Sequence, residues 1–327
     1  MKIAVLSSPS ARNRFEMGSA LGHFLEGDTI LTHPLWGDVP SGRMIASLEN
    51  GAHLSYKEAV RQAVTRFLEE GAGLFVTIGG DGLASYVADA LVCGTSPDSR
   101  PGIIGVAAGT ANVGPIVSLS IQDLKRCNRS DSTMKPLDAV EATLAGRHLG
   151  YGFNDIVLGN TVLATVDGKT CNCSARILAE EGRNVITIPG NSILTKEAVI
   201  SRNGKAVFQD SSFPTRQVVI CPLGQDRLYG RAVYGAFCNS WGPEGCAGIS
   251  VTDRAIVDTT TPDWFTLDAT TAKQALFARG DVVKVTGLGE DADIIIDGNP
   301  FPHGNEDGLL CTLQEKVITA CRLKEGV

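Results

Sequence analysis

The chain has few aromatic residues, fewer basic than acidic residues, and no strongly apolar run of membrane-spanning length. Phe, Trp and Tyr make up 6% of its 327 residues, too few to suggest the stacking platforms of proteins that bind single-stranded nucleic acid. The 29 Lys and Arg against 36 Asp and Glu give a formal net charge of −7, which repels nucleic acid and anionic membrane surfaces. We therefore expect neither nucleic acid nor a membrane as a partner.

One uncharged stretch, residues 101–122, approaches the ~20 residues that a spanning helix needs. It contains four glycines together with Asn112 and Pro115. Short apolar runs broken by such residues predict a buried strand, a loop and a further element rather than a membrane span. We expect no secretory leader, since only about five apolar residues precede a polar stretch. We therefore expect a cytoplasmic protein.

Nine cysteines are scattered along the chain without any CxxC pair. An odd number without zinc-finger spacing favours reduced thiols in a cytoplasmic protein. Cys171 and Cys173 would share one face of a strand, so the spacing leaves open a metal or redox role for this pair.

The commonest enzyme motifs are also missing. The sequence has no GxSxG and no HExxH, and no GxGxxG follows the first predicted strand. Gly168-Lys169-Thr170 ends like a phosphate-binding P-loop, but Leu163 stands where that motif requires a glycine. The five histidines lack metal-ligand spacing, and His303 is predicted to be a loop residue.

The first part of the chain alternates strand and helix patterns. Ser55 and Glu58 form a capping box ahead of a helix at 55–70. Strands joined by helices predict an α/β domain with a parallel sheet. The predicted strands are 2–8, 29–35, 73–78 and 102–108, and the other predicted helices are 12–26 and 84–92.

After about residue 148 the helical periodicity mostly disappears and short β-rich runs follow one another, among them predicted strands at residues 231–237, 264–267 and 316–323. Asp-Gly and Asn-Gly turn signals, such as Asp167-Gly168, Asn203-Gly204 and Asp297-Gly298, separate several of them. This pattern predicts an all-β second domain. The fold class is therefore α/β plus all-β, with an α/β domain at 1–148 and a β-rich domain at 149–327 whose C-terminal segment is a candidate to return to the first domain.

The strongest local signal is the strand 75–78 followed by Gly79-Gly80-Asp81-Gly82. Ligands of open parallel sheets bind beyond the carboxyl ends of the strands, and glycines there let backbone N–H groups approach phosphate oxygens. The acid could accept a proton from a substrate hydroxyl or hold Mg²⁺. The alternative is a tight turn in which Asp81 only caps the following helix.

Three further clusters follow strands. Thr110 and Asn112, in Gly109-Thr110-Ala111-Asn112, offer a hydroxyl and an amide, with an ordinary turn as the alternative. Asn154 and Asp155 open a strand near the domain junction. Asp297-Gly298 ends an apolar strand, and its local sequence favours a hairpin turn.

Together and in this order, the four clusters resemble the NAD kinase and diacylglycerol kinase superfamily. The resemblance rests on GGDG after a strand, a G-T-x-N sequence about thirty residues later, an Asn-Asp pair opening the second domain and a late Asp-Gly. Within the superfamily the chain is most similar to the ATP–NAD kinase branch that includes the AcoX-like proteins. The resemblance implies an NAD kinase-like fold with a nucleotide-binding first domain and an acceptor-binding second domain.

The resemblance also implies an ATP-dependent kinase that uses Mg²⁺ and phosphorylates a hydroxyl, with the 2′-hydroxyl of NAD as the leading acceptor. Asp81 would be the catalytic residue that orients or deprotonates this hydroxyl. The remaining matched positions would bind nucleotides, and no side chain is assigned to a protein-held metal. These positions are Gly79, Gly80, Gly82, Thr110, Asn112, Asn154, Asp155 and Asp297.

Three positions depart from the family pattern. Leu83 follows GGDG where threonine is common, the first βα turn lacks the family's asparagine and glycine, and Asp155 replaces a glutamate. These departures keep two alternatives open: a kinase of the same superfamily with another acceptor, including a lipid, and a non-catalytic nucleotide-binding regulatory protein. Family members are often homo-oligomers, so we expect a homo-oligomer.

Overall fold

The computed structural model describes residues 1–9, 11, 14–33, 42–44, 54–108, 114–190, 192–224, 245–260, 269–303 and 307–326. Its internal contacts divide the chain into two compact units. The first unit comprises Met1–Leu137 together with Lys316–Val327, and the second comprises Asp138–Glu315. Each unit is described by itself.

The first unit alternates strands with helices, as the sequence predicts. Its elements are β1 (Lys2–Ser7), α1 (Arg14–Phe24), β2 (Thr29–Thr32), β3 (Arg43–Met44), α2 (Tyr56–Glu69), β4 (Leu74–Gly79), α3 (Asp81–Gly94), β5 (Gly102–Ala107), β6 (Val117–Leu119) and α4 (Ile121–Arg126). Short 3₁₀ turns lie at Pro97–Ser99 and Arg129–Asp131.

A parallel sheet forms the centre of this unit. Strands β5, β4, β1, β2 and β3 lie side by side in this order, and every pair is parallel. The long strand β20 (Leu309–Leu323) brings the C-terminal segment to β5, where Ala320 pairs with Ile103. Buried side chains of β1 and β4, among them Val5 and Val76, pack against Leu21 and Phe24 of α1.

Helix α2 forms where the capping box and the apolar periodicity predict it. The Glu58 N–H donates to the Ser55 hydroxyl at 3.3 Å, and the Ser55 N–H donates to the Glu58 carboxylate at 2.9 Å. This reciprocal pair fixes the first turn of the helix. Val60, Val64 and Phe67 repeat on one face and are fully buried, so the packing that they provide completes the helix.

The second unit is mostly antiparallel β-structure. Strand β7 (Ser132–Leu144) leads into it, and one described helix, α5 (Ala175–Glu181), accompanies its strands. The strands are β8 (Arg147–Gly152), β9 (Ile156–Gly159), β10 (Thr161–Val166), β11 (Lys169–Ser174), β12 (Leu194–Arg202), β13 (Lys205–Phe208), β14 (Gln217–Pro222), β15 (Cys246–Thr252), β16 (Ala272–Ala278), β17 (Val282–Leu288), β18 (Asp293–Ile296), β19 (Asn299–Pro302) and the first part of β20.

Two sets of strands enclose the core of this unit. Strands β16, β15, β14, β9, β18 and β19 form one antiparallel sheet, and β13, β12, β17 and β20 pair antiparallel in a second set. Ile156, Val218 and Ile294 of the first set share one buried cluster with Ile200 and Val283 of the second. The unit is therefore held together by apolar side chains that alternate inward along the strands.

The predicted turn signals form hairpins. Asp167-Gly168, Asn203-Gly204 and Asp297-Gly298 all have positive φ angles, with values of 47–52° at the first residue and 77–80° at the glycine. This is the backbone of the two-residue hairpin turn that Asp-Gly and Asn-Gly favour. The turns join β10 to β11, β12 to β13 and β18 to β19.

The predicted fold class of an α/β part and a β-rich part is confirmed. Several details differ from the expectation, and three of them bear on the ends of elements or on long-range pairing. Helix α3 begins at Asp81 rather than residue 84, β20 begins at Leu309 rather than residue 316, and β7 was not predicted. The predicted strands at 231–237 and 264–267 lie outside the described residues. Among the helices that the structure describes, none combines the length and the apolar character that a bilayer crossing needs.

Candidate functional site

The ends of three neighbouring strands position the GGDG sequence in the first unit. The Ser8 N–H, just after β1, donates to the Ile78 carbonyl of β4 at 2.7 Å. The Ala108 N–H, just after β5, donates to the Gly79 carbonyl at 3.0 Å. These two bonds continue the sheet pairing past the last residues of the strands. They fix the backbone at the edge where parallel sheets bind ligands.

Gly79 is needed for this close approach. A Cβ atom at this position would lie 3.0 Å from the Ser8 Cβ and 3.5 Å from a Leu83 methyl carbon. Leu83 itself is only 4% exposed, so its side chain belongs to the core rather than to a ligand surface. The leucine that replaces the family's threonine therefore fills space under the strand end.

Gly80 is the single residue between β4 and α3. It is the N-cap of α3 and has an extended backbone, so the GGDG sequence passes from strand to helix without a separate turn. Asp81 and Gly82 are the first two residues of the helix, and both are half-buried. An acid in the first turn is favoured by the positive end of the helix dipole. The alternative in which Asp81 acts as the helix cap is wrong, because Gly80 holds that position.

The Asp81 carboxylate reaches across to a residue 33 positions later. The Gly114 N–H donates to its Oδ2 atom at 2.9 Å. A Cβ atom on Gly114 would lie 2.8 Å from Asp81 Oδ1, so only glycine leaves room for the carboxylate in this position. Asp81 is therefore held in one place by a neutral backbone donor.

Three buried hydroxyls lie on the strands that lead to this edge. Ser7 ends β1, Thr32 ends β2, and Thr77 lies near the end of β4. Each side chain is at most 5% exposed, and its hydroxyl oxygen has no hydrogen-bond partner among the described residues. Buried polar atoms are nearly always hydrogen-bonded in proteins, so an incompletely satisfied group of this kind points to a functional surface.

Tyr56 of α2 lies beside Ser8 and against Tyr86 of α3. Partial burial raises the pKa of the Tyr56 hydroxyl to about 12, and a hydrogen bond with Ser8 opposes this rise only in part. Its ring meets the edge of Tyr86 with centroids 5.9 Å apart. Lys57 Nζ lies 3.1 Å from the Asp89 carboxylate. Tyr56 therefore stays protonated at neutral pH and can act as a hydrogen-bond donor. The sequence reasoning missed it, because a tyrosine after a helix cap carries no recognisable signal.

The second unit contains a separate constellation around Asp297. Its Oδ1 atom accepts the Asn154 N–H at 2.8 Å and the Asp155 N–H at 3.0 Å, and its Oδ2 atom accepts the Phe153 N–H at 3.0 Å. In return, the Asp297 N–H donates to the Asp155 carbonyl at 3.1 Å. One carboxylate thus binds three successive N–H groups of the segment between β8 and β9.

The side chains of this segment form a close pair. The Asn154 Nδ2 donates to the Asp155 Oδ2 at 2.6 Å. Asn154 is half-buried, Asp155 is 6% exposed, and Asp297 is also 6% exposed. Burial, followed by the neighbouring Asp155 carboxylate, raises the pKa of Asp297 to about 7, although the three backbone donors oppose this shift. Two acids are therefore held close together in a poorly solvated place.

The predicted site residues thus fall into two groups. The structure brings Gly79, Gly80, Asp81 and Gly82 together in the first unit, and Asn154, Asp155 and Asp297 together in the second. Thr110 and Asn112 lie outside the described residues. The binding roles assigned to these residues remain predictions.

Cys171 and Cys173 lie in an apolar cluster. They share one face of the β10–β11 hairpin, as expected, and pack with Val162, Val219 and Ile295. Burial, followed by the neighbouring Cys171 thiol, raises the pKa of Cys173. A buried thiol with a raised pKa is a poor nucleophile and a poor metal ligand, so a packing role suits this pair better.

Comparisons with known proteins agree with this architecture. No family model matches the chain. An uncharacterized protein of Archaeoglobus fulgidus is 27% identical over 263 residues, which cover 77% of each chain. Among solved structures, yeast NADH kinase in complex with NADH superposes with a TM-score of 0.59 at 12% identity, covering all of this chain and 84% of the other.

A second solved structure, described as a putative diacylglycerol kinase from Bacillus anthracis, has a TM-score of 0.52 at 14% identity. The match covers 98% of this chain and 96% of the other. At such low identity these similarities establish the fold. The NAD kinase-like fold that the resemblance implies is confirmed, and membership of the superfamily and of its AcoX-like branch stays a prediction.

Proposed function

We propose that this protein is a phosphotransferase of the NAD kinase and diacylglycerol kinase superfamily. It transfers a phosphoryl group from ATP to a hydroxyl, and the 2′-hydroxyl of NAD is the leading acceptor. The observation that carries the proposal is the position of Asp81. Its carboxylate lies at the carboxyl edge of a parallel sheet, at the start of a helix, and is fixed by the Gly114 N–H at 2.9 Å.

Several polar groups of the first unit support the proposal that it binds ATP and Mg²⁺. Phosphate oxygens accept hydrogen bonds, and Ser7, Thr32 and Thr77 offer three buried hydroxyls at this edge. Mg²⁺ prefers carboxylate oxygens, and Asp81 supplies one carboxylate. When bound, Mg²⁺ would neutralise charge on the phosphates. These residues fit the group that the resemblance implies.

Asp81 would act late in the reaction. Phosphoryl transfer passes through a loose transition state, so positioning and charge neutralisation matter more than a strong base. An aspartate has too low an ordinary pKa to remove a hydroxyl proton before the transfer begins. It can orient the acceptor hydroxyl and receive its proton as the new P–O bond forms.

The second unit would bind the acceptor. Asn154 and Asp155 present an amide and a carboxylate within one short segment. A carboxylate and an amide together can accept from and donate to neighbouring hydroxyls, which suits the ribose of a nucleotide. Asp155 is one methylene shorter than the glutamate of the family pattern, so it would bring the sugar closer to the backbone.

A lipid acceptor is the second candidate, and the similarity to the Bacillus anthracis protein favours it. The experiment that separates the candidates supplies labelled ATP and Mg²⁺ with one acceptor at a time. NAD, NADH and a short-chain diacylglycerol in detergent micelles are the three acceptors. We expect label in NADP. Label in the lipid alone would overturn NAD as acceptor, and nucleotide binding without any labelled product would overturn the kinase assignment.

A further inference from the structure

Asp297 carries the largest number of backbone hydrogen bonds of any side chain in the proposed acceptor region that the structure describes. Both of its oxygens are engaged by N–H groups of the protein's own backbone. A side chain in this situation has little capacity left for a substrate. The resemblance placed Asp297 among the binding residues, but its contacts are with the protein's own backbone.

We propose that Asp297 is a positioning residue that holds the Phe153–Asp155 segment in the conformation that presents Asn154 and Asp155 to the acceptor. This inference rests on the proposed function for the identity of the acceptor. The positioning itself does not depend on any activity.

The geometry explains why a buried acid is needed here. Three successive N–H groups point to one side of the segment and would otherwise be buried without partners, which is costly. A carboxylate has two oxygens and enough lone pairs for all three, whereas an amide offers one oxygen. The match of three donors to one carboxylate is therefore specific to aspartate at this position.

The hairpin turn between β18 and β19 places the Asp297 carboxylate beside this segment. Asp297 has a φ of 47° in the turn between β18 and β19, a conformation that aspartate and asparagine tolerate better than most residues. Strand β18 also pairs with β9, with Ile296 opposite Ile156. The turn and the segment before β9 are thus held at one end of the same strand pair.

Gly152 permits the segment to fold tightly at its other end. A Cβ atom on Gly152 would lie 2.7 Å from an Ile156 side-chain carbon and 2.8 Å from the Asp155 carbonyl oxygen. The chain between β8 and β9 is therefore compact, because Gly152 allows the tight approach at its start and the Asp297 carboxylate binds its N–H groups. The side chains of Asn154 and Asp155 are placed by this backbone.

Hydrogen exchange of the wild-type protein is the first test, and it needs no substrate. At about pH 8 we expect the amides of Phe153, Asn154 and Asp155 to exchange about 10- to 100-fold more slowly than exposed loop amides, because a charged acceptor holds them. Exchange of these three amides as fast as exposed loop amides would overturn the proposal.

Asp297→Asn is the second test, since asparagine keeps the turn but not the second acceptor oxygen. We expect about a 10- to 100-fold rise in the KM for the acceptor with an unchanged KM for ATP, together with faster exchange at 153–155. Asp307→Asn is the matched control, because the exposed Asp307 accepts one backbone N–H, from Gly287 at 2.9 Å. An unchanged acceptor KM in Asp297→Asn with faster exchange would overturn the link to the acceptor.

Asn154→Ala tests the Asn154 side chain independently of the backbone hydrogen bonds to Asp297. It removes the amide but leaves all three bonds to Asp297, so acceptor binding should weaken while exchange at 153–155 stays slow. If the protein phosphorylates no acceptor, the exchange results still decide the positioning role, and only the proposed function fails. Fast exchange in Asn154→Ala would count against Asp297 as the group that holds the segment.

Discussion

The Asp81 carboxylate accepts a hydrogen bond from the Gly114 N–H at 2.9 Å. Gly114 directly follows the stretch that holds Thr110 and Asn112, which the resemblance assigns to nucleotide binding. One hydrogen bond therefore joins a candidate catalytic acid to the residue that follows a candidate nucleotide-binding sequence. This contact gives Asp81 a fixed direction before any substrate binds, which is the kind of preorganisation that phosphoryl transfer needs.

Gly114→Ala should reduce activity with little loss of stability. The new Cβ would lie 2.8 Å from Asp81 Oδ1 and would force the carboxylate to rotate away. A displaced catalytic group costs about 10-fold or more in kcat. Steady-state kinetics and urea unfolding of the variant would measure both effects. Gly73→Ala is the control, because a Cβ there meets nothing within 4 Å. Equal activity of both variants would contradict this role of Gly114.

Leu83→Thr should destabilise the protein rather than raise its activity. Leu83 is 4% exposed and contacts the Gly79 strand end, so threonine would lose apolar contacts and bury a hydroxyl. We expect a loss of about 2–4 kcal/mol in the free energy of unfolding. Leu83→Met keeps the volume and should cost less than about 1.5 kcal/mol. A gain in kcat in Leu83→Thr without loss of stability would show that the position belongs to the ligand site.

Stability should fall as the pH rises toward neutrality. The pKa of Asp297 is raised from 3.8 to about 7, mainly by burial and then by Asp155. Between these values the folded protein binds more protons than the unfolded chain, so the contribution is complete below the unfolded pKa and is lost as the pH passes the folded one. The free energy of unfolding, measured with urea, should be higher at about pH 5 than at about pH 8, by on the order of 2 kcal/mol because of this group.

Asp297→Asn cannot titrate, so the pH dependence in the variant should be flatter over the same range. A wild-type protein that gains stability between these two pH values by more than the variant does would contradict the raised pKa. The comparison of slopes is informative because other titrating groups are common to both proteins.

Cysteine labelling should distinguish packing from metal binding. Cys93 is exposed, whereas Cys173 is fully buried in an apolar cluster with a raised pKa. Under native conditions a thiol reagent should modify Cys93 rapidly and Cys173 only after denaturation. Cys173→Ala should cost about 1–2 kcal/mol and leave the metal content unchanged. A stoichiometric metal that is lost in Cys173→Ala would support a metal site at Cys171 and Cys173 instead, and Cys127→Ala, at another buried thiol in an apolar cluster, is the control.

The parts of the fold that the sequence predicted are those with a strong local cause. Helix α2 was predicted at 55–70 and lies at Tyr56–Glu69, because Ser55 and Glu58 cap it and a regular apolar face buries it. The hairpin at Asp297-Gly298 has the positive φ angles that its sequence favours. In each case a few neighbouring residues determine the backbone.

Errors arose where distant packing decides the structure. The sequence pattern predicts a start of α3 three residues too late, because the four residues of GGDG suggest a loop, whereas Gly80 alone is enough to cap the helix. Strand β7 contains Pro136 within an exposed first part, residues 133–136, which obscures the strand pattern, and pairing with β8 and β20 determines it. Propensity is a weak guide when pairing partners lie far away in sequence.

The candidate site was predictable in composition but not in its contacts. GGDG and the Asn-Asp pair could be found because the four clusters, in their order along the chain, resemble a known superfamily, although each cluster alone also fits an ordinary turn. The bond between Asp81 and Gly114 and the three bonds from residues 153–155 to Asp297 join residues 33 and 142–144 positions apart. No local pattern marks such partners, so the positioning role of Asp297 emerges only from the structure.

The most direct test measures NADP formed from NAD, ATP and Mg²⁺ by the wild-type protein, Asp81→Asn and Asp98→Asn. Asp81→Asn keeps an oxygen that can accept the Gly114 N–H but loses the charge, and Asp98→Asn makes the same chemical change at an exposed site of the same unit. We predict NADP formation by the wild type and Asp98→Asn, and a loss of at least about 100-fold in Asp81→Asn. Equal NADP formation by all three folded proteins would contradict the central role of Asp81.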